Sequence, residues 1–321
     1  MNAVIEIQNG THGFEPVVLE GIQFETSRKG SPGKLTFKAL QDDKLDIEEG
    51  NAVSFKVDDT AVFYGYIFRI QGDSTNIITI TCYDQLRYLK NKDTYIFRQT
   101  TANRIANMIC TDFGLRTGEL EETAYVIPYV VYDNKTLIDM IQDSLDMTLT
   151  NTKNMYVLYD DYGKVTIKQI ARMKVGLMID ADTAEKFEYE SSIDSETYNR
   201  IKLMYEDSDT KERTFWTAED GATQGKWGTL QYFEAVSKEE RDTAQSKANA
   251  LLSLYNNKTK RLTIPNVIGD LRVRAGSMVM VQLQAGKEKV DHWMIVDSCT
   301  HNFKENEHFM TLKVMGGGFV G

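Results

Sequence analysis

The sequence is short of the residues that metal, disulfide and acid–base chemistry draw on, with three cysteines and four histidines in 321 residues. Cys82, Cys110 and Cys299 are scattered, odd in number and without CxxC spacing. They read as small core residues in a reducing compartment rather than as disulfides or metal ligands. His12, His292, His301 and His308 contain no HxH or HxxxH pair, which argues against zinc. The seven-residue step from His301 to His308 puts the two on opposite faces of any continuous strand, and all four read as surface or interface residues. Four prolines imply few rigid linkers. No stretch approaches the ~20 apolar residues needed to cross a bilayer. The start, MNAVIEIQNG, lacks the basic and apolar regions of a secretory signal, so folding in a cytoplasm is expected.

Positive charge is short as well: 37 Lys and Arg stand against 47 Asp and Glu, for a net charge of −10. A nucleic-acid binder needs clustered cations to displace counterions, so specific nucleic-acid binding is not expected. What is present is the composition of a soluble globular protein, 41% hydrophobic and 26% charged, over a length that suits two or three domains.

Residues 1–92 read as β-structure. Val17, Val18, Leu19, Ile22 and Phe24 mark one strand; Leu35, Phe37 and Ala39 alternate in the next. The stretches 52–57, 67–70 and 77–80 are rich in β-formers. Turn signals fall at 28–33, 58–59 and 72–76. About six short strands with regular turns predict a small closed barrel or sandwich. Residues 93–172 change period. Ile105, Met108, Ile109 and Phe113 predict one helix face; Leu137, Ile138, Ile141 and Leu145 predict a second, capped by Asn134. A hairpin follows, with 155–159 and 165–167 joined at Asp160-Asp161-Tyr162-Gly163. Residues 173–321 return to β with one inserted helix at about 237–256. Its start is marked by Ser237-Lys238-Glu239-Glu240, a capping box. Met315-Gly316-Gly317-Gly318-Phe319 reads as a frayed tail or an adaptable contact. The expected fold is therefore mainly β with an α+β insert: two small β-barrel hub domains (1–92 and 173–321) flanking a helix-pair and hairpin domain (93–172).

The two β-rich stretches resemble each other. Gly50-Asn51-Ala52-Val53-Ser54-Phe55 leads to Ile67 and then Ile80; Gly276-Ser277-Met278-Val279-Met280-Val281 leads to Ile295 and then Leu312. The offsets, 226, 228 and 232 residues, grow slowly, as small insertions in hairpin tips would make them. Two copies of one barrel in a chain that assembles as a three-fold ring would present six similar units around the axis.

That organisation, with TANRIANMICTDFGL, NKTLIDMIQDSLDM and RAGSMVMVQL, resembles the XkdQ/YqbQ family of PBSX-like prophages and, more distantly, the baseplate hub proteins of phages T4 and Mu. The resemblance implies a non-enzymatic structural protein of a contractile phage tail or a tail-like particle such as a bacteriocin. It implies a homotrimeric ring that joins the six-fold tail tube, or its initiator, to a three-fold central spike among other baseplate proteins. Assembly in the host cytoplasm and residence in the virion or particle follow. No cofactor, metal or catalytic residue is expected. The chain stops directly after the second barrel, leaving no room for an appended peptidoglycan hydrolase. An open ring that lets DNA pass should have an acidic or neutral lumen, and Asp42, Asp43, Glu48 and Glu49 are candidates to line it.

Three local patterns imitate chemistry. Residues 221–228 look like a phosphate loop but are one residue short between glycines, with Trp227 where the magnesium-binding hydroxyl belongs; they read as a flexible contact arm with Trp216 and Trp227 as anchors. Asp180, Asp182 and Glu185 are spaced like a calcium loop without its glycine or bidentate glutamate, and read as a solvated turn. Asp160 and Asp161 read as turn residues rather than a glycosidase pair. Two other classes stay open: a tail-associated cell-wall hydrolase, and a β-barrel carbohydrate or nucleic-acid binding module.

Overall fold

The computed structural model describes residues 1–41, 44–184, 186–285 and 288–316, with 285 and 288 described through their backbone alone. Asp42, Asp43, Glu185, Gly317, Gly318 and Phe319 lie outside the described residues. In chain order the first elements are β1 (Ala3–Asn9), β2 (His12–Phe14), β3 (Val18–Ser27), β4 (Lys34–Leu40), β5 (Ala52–Val57), β6 (Thr60–Gly72) and β7 (Ile77–Tyr83). Next come β8 (Lys92–Thr100), α1 (Ala102–Asp112), β9 (Thr117–Leu120), β10 (Ile127–Thr136), α2 (Leu137–Thr152), β11 (Tyr156–Asp160) and β12 (Val165–Gln169). Then follow β13 (Lys174–Ile179), β14 (Glu188–Ser192), β15 (Arg200–Glu206), β16 (Arg213–Glu219), α3 (Gly221–Trp227), β17 (Gln231–Ala235) and α4 (Ala244–Tyr255). The last strands are β18 (Thr259–Ile268), β19 (Met278–Ala285), β20 (Glu288–Lys304) and β21 (Glu307–Gly316). The protein is mainly β, 51% strand against 19% helix.

Strict alternation makes the strands. In β4 the residues Leu35, Phe37 and Ala39 are buried, and in β5 so are Val53, Phe55 and Val57, while the residues between them face outward. Each fully buried side chain of this size contributes roughly 1.5–3 kcal/mol. The strands do not close into two separate barrels. They run into one thirteen-stranded sheet in the order β14-β18-β21-β20-β3-β4-β7-β6-β5-β1-β2, with β19 and β13 branching from β20. Among the described residues the pairing closes no ring. The cause is the length of β20, 17 residues. Its first half pairs with β19 and its second half is left over to pair with β3.

The duplication is visible in the topology. β3 to β7 lie in the order β3-β4-β7-β6-β5, and β14, β18, β19, β20 and β21 lie in the order β14-β18-β21-β20-β19. Two irregularities also recur. The Gly50 amide donates to Ile67 O while the Ile67 amide donates to Asn51 O; Gly276 and Ser277 stand in the same relation to Val296. Two residues thus oppose one, a β-bulge, and both glycines have positive φ, 96° and 91°, as the bulge requires. Ladder pairing then skips Phe68 in β6 and Asp297 in β20. The counterpart of Ile67 is therefore Val296, one residue beyond the Ile295 suggested by sequence similarity; Ile80 and Leu312 do correspond, opposite Phe37 and Ile264.

The second copy departs from the first by an insertion. Where β3 turns directly into β4, residues 193–258 intervene between β14 and β18, and they form a sheet in the order β16-β15-β17 backed by α4. Ile201, Leu203, Tyr205, Ala248 and Leu251 fill its core. The inserted feature is thus a small α/β unit, not one helix. Its helix starts at Ala244 after a short 3-10 turn, Arg241–Thr243. Glu240 Oε2 does accept from the Ser237 amide at 3.0 Å, but that contact closes a turn ahead of the helix.

In the middle stretch α1 and α2 pack with β8, β10, β11 and β12 around Ile105, Ile109, Leu137 and Ile141. Met108 is not on the buried face of α1; Ala106 and Cys110 take that place. The α2 cap is Thr136, which accepts from the Asp139 amide, whereas Asn134 sits with φ 48° in an irregular register of β10.

Candidate assembly interface

The joint between the two copies is the first feature with functional reach. β3 and β20 pair antiparallel from Ile22 opposite Phe303 to Ser27 opposite Ser298. Phe303 inserts into the first copy's core, its ring 5.1 Å from that of Phe55. Gln23 Nε2 donates to Asn302 Oδ1 at 3.1 Å, and the joint is locked at its end by Arg28 Nε donating to Asp297 Oδ1 at 3.0 Å.

A second joint ties all three stretches together. Asp84 follows β7, Asp160 ends β11, and Arg274 precedes β19. Asp84 accepts from the amides of Gly33 (2.7 Å) and Leu86 (3.0 Å); Asp160 Oδ1 accepts from the Gly163 amide at 2.5 Å. Arg274 Nη2 donates to the Asp160 carbonyl at 2.9 Å, and its guanidinium lies 3.9 Å over the Tyr159 ring. The neighbouring Ala275 amide donates to Thr26 Oγ1. Asp160 Oδ2 and Arg274 Nε are buried without a hydrogen-bond partner. Burial, reinforced by the Asp160 charge, holds the Asp84 carboxyl well above the usual carboxylate range; burial also raises Asp160 and lowers Arg274. The sequence reading of Asp160 as a turn residue holds, since its carboxyl accepts from the Gly163 amide, but it does not reach the contact with Arg274. The reason is that its partners are 114 and 76 residues away.

His301 and His308 are not on opposite faces of one strand. A hairpin at 305–306 separates β20 from β21, and the two rings meet, His301 Nδ1 2.8 Å from His308 Nε2. His301 is 2% exposed rather than a surface residue; its Nε2 lies 2.9 Å from the Val273 carbonyl, and its ring stacks between Phe24 and Phe303. Donation from Nε2 to that carbonyl leaves Nδ1 to accept from His308 Nε2, which makes His301 the neutral tautomer. Burial lowers His301 to about 3 and His308 to about 4. Among the described residues no group of three or more His, Cys, Asp or Glu is placed to hold a metal ion.

The remaining sequence candidates are structural or isolated. Residues 221–227 form the short helix α3, capped by Asp220, and not a flexible loop. Trp216 packs partly buried against the inserted unit's core. The exposed aromatics there are Phe215 and Phe233, on the outer face of the small sheet, with Lys202 Nζ 4.5 Å over the Phe215 ring. Asp180 accepts from the amides of Asp182 and Thr183 in a closed turn. Glu48 and Glu49 are exposed in the connection from β4 to β5. A cleft of about 570 Å³ between β10, α2 and the inserted unit is rich in carboxylates. Most of them are in ion pairs: Lys247 holds Glu234 and Glu240 at 2.8 Å each, Lys135 holds Asp143, and Lys29 holds Asp146 at 3.0 Å.

The fold is thus a duplicated β-sheet whose copies meet at buried joints. The chain belongs to the YqbQ-like family, whose model matches residues 22–315. It is 29% identical over 307 residues to the uncharacterized protein YqbQ of Bacillus subtilis, covering 93% of this chain and 92% of that one. It is 28% identical over 313 residues to the phage-like element PBSX protein XkdQ of the same bacterium, covering 93% of each. Its fold matches the 43 kDa tail protein of prophage MuSo2 from Shewanella oneidensis with TM-score 0.67 and 14% identity over 97% of this chain and 98% of that one.

Proposed function

We propose that the chain is a structural, non-enzymatic component of a phage-type tail, and specifically the baseplate hub. Three copies form a ring with six similar β-units, joining a six-fold tail tube above to a three-fold spike below. The duplication carries this reading. Copies that share strand order and both bulges make one chain equivalent to two units, which is what an adaptor between six-fold and three-fold symmetry needs. The resemblance to a named tail protein fold and to XkdQ supports a place in the virion or tail-like particle after assembly in the host cytoplasm. In this reading 1–92 and 173–321 are the two hub domains, 93–172 is the α+β domain between them, and residues 193–258 are an outward extension of the second. Glu48 and Glu49 lie on the wall that faces passing DNA.

Light scattering of the purified chain across a concentration series tests it. The chain mass is 36.6 kDa, so a species of about 110 kDa with a central hole in negative stain is expected for three copies. A stable dimer without a hole, or a chain that stays monomeric even with its tube and spike proteins, overturns the reading.

A further inference from the structure

Comparing the two copies strand by strand exposes an asymmetry. β6 and β20 are counterparts, and each pairs through its second half with the next strand, β7 from Tyr66 on or β21 from Ile295 on, on one side. On the other side β20 pairs first with β19 and then, from Ser298 to Phe303, with β3. β6 pairs first with β5, but among the described residues no strand pairs with the same side of Arg69 to Gly72. Likewise β3 has neighbours on both sides, while its counterpart β14 is the last strand at its end of the sheet. One chain therefore ends in the two halves of a joint whose assembled form it already contains.

We propose that β14 of one copy pairs antiparallel with the end of β6 of a second copy, in the register that β3 and β20 use within the chain. The inference rests on the self-assembly reading above and specifies which surfaces meet.

The register follows from the ladder. Phe24 and Tyr189 stand opposite Leu35 and Leu262, which are counterparts. Ile70 and Cys299 stand opposite Ile80 and Leu312. Transferring the internal joint places Ser192 opposite Arg69, Ser191 opposite Ile70, and Glu190 opposite Gln71. Burial shows what this would cover. Cys299 and Thr26 are buried at the internal joint, whereas their counterparts are a half-buried Ile70 and an exposed Ser191.

The side chains are complementary in their own way. Glu190 is directly opposite Gln71 and diagonal to Arg69 on the same face, positions from which cross-strand pairs interact. The salt bridge of Arg28 with Asp297 has Ile193 and Phe68 as its counterparts, an apolar pair, both partly exposed in the single chain. Such a joint is heterologous, with different surfaces meeting, so it propagates from copy to copy and closes into a ring if the rotation allows. It also removes two open sheet edges, which otherwise invite indiscriminate pairing.

Cysteine pairing in the full chain tests the joint, since the three native thiols are buried. The Gln71→Cys, Glu190→Cys double variant should oxidise to products of two and three times the chain mass on a non-reducing gel. Each single variant should stay at one chain mass, and a mixture of the two single variants should stop at two. Both positions are exposed, and circular dichroism verifies the fold. A 110 kDa particle that oxidises without covalent products overturns the strand pairing and leaves the trimer standing. A monomer with neither product nor particle, tube and spike proteins included, overturns both.

Discussion

Arg274 Nη2 donates to the main-chain carbonyl of Asp160 at 2.9 Å, with its guanidinium stacked 3.9 Å over Tyr159. This contact crosses from the loop before β19 to the end of the hairpin strand β11. With Asp84 close by, one arginine holds both copies and the middle stretch in one place.

Arg274→Ala should therefore be among the more damaging single changes. It removes a cation stacked on Tyr159 and its hydrogen bond to the Asp160 carbonyl, a loss of about 1–3 kcal/mol where the carbonyl is left unsatisfied. Arg274→Lys should recover little, because an ammonium neither stacks flat on Tyr159 nor reaches with a planar fork. Urea unfolding of the three proteins measures both.

The two bulge glycines separate backbone strain from crowding. Gly50→Ala meets open space and should lose only the cost of a positive φ, about 1–2 kcal/mol. Gly276→Ala meets Val157 with its Cβ 2.7 Å from Cγ1 and should lose clearly more. Thermal melts ranking Gly276→Ala above Gly50→Ala in stability would contradict this packing.

The histidine pair makes stability depend on acid. Both rings ordinarily titrate near 6.5, and burial depresses His301 to about 3 and His308 to about 4. The unfolded chain takes up protons that the folded chain refuses, so the pair's contribution is complete above pH 6.5. It is lost as pH falls through 6.5 toward 3. His301→Gln should flatten the slope of unfolding free energy against pH between 6.5 and 4. The raised carboxyls of Asp84 and Asp160 act in the opposite sense above their unfolded pKa, and the Asp84→Asn variant separates the two effects.

Burial also raises the thiols of Cys82, Cys110 and Cys299. Native protein should react negligibly with a thiol reagent at pH 8, and three thiols per chain should react in denaturant. A fast native thiol would show that one strand of the sheet opens.

Much was legible in the residues. The alternation in 35–39 and 52–57 gives strands because a pleated backbone turns successive side chains to opposite faces. The buried set Leu137, Ile138, Ile141 and Leu145 gives a helix for the same geometric reason at a period of 3.6. The duplication was legible too, though its register slipped by one at Ile295, since Met294, Ile295 and Val296 are consecutive buried apolar residues and a pattern of apolar residues fits any of them. The helix start at Ser237 failed because the box contact forms equally well in an isolated turn. His301 and His308 failed because a count along one strand ignores a hairpin between them.

The sequence by itself determined the strands of the first copy, the helices α1 and α2, the repeat and the family, all of which rest on short-range periodicity or on similarity between stretches of chain. Only the tertiary structure decided that β20 reaches past β19 to take up β3. The same is true of the clustering of Asp84, Asp160 and Arg274, and of the edges of β6 and β14 that no strand pairs among the described residues. A strand's hydrogen-bonding edge carries the same N–H and C=O groups whatever its side chains, so which edge meets which is settled by strand length and packing across the whole sheet.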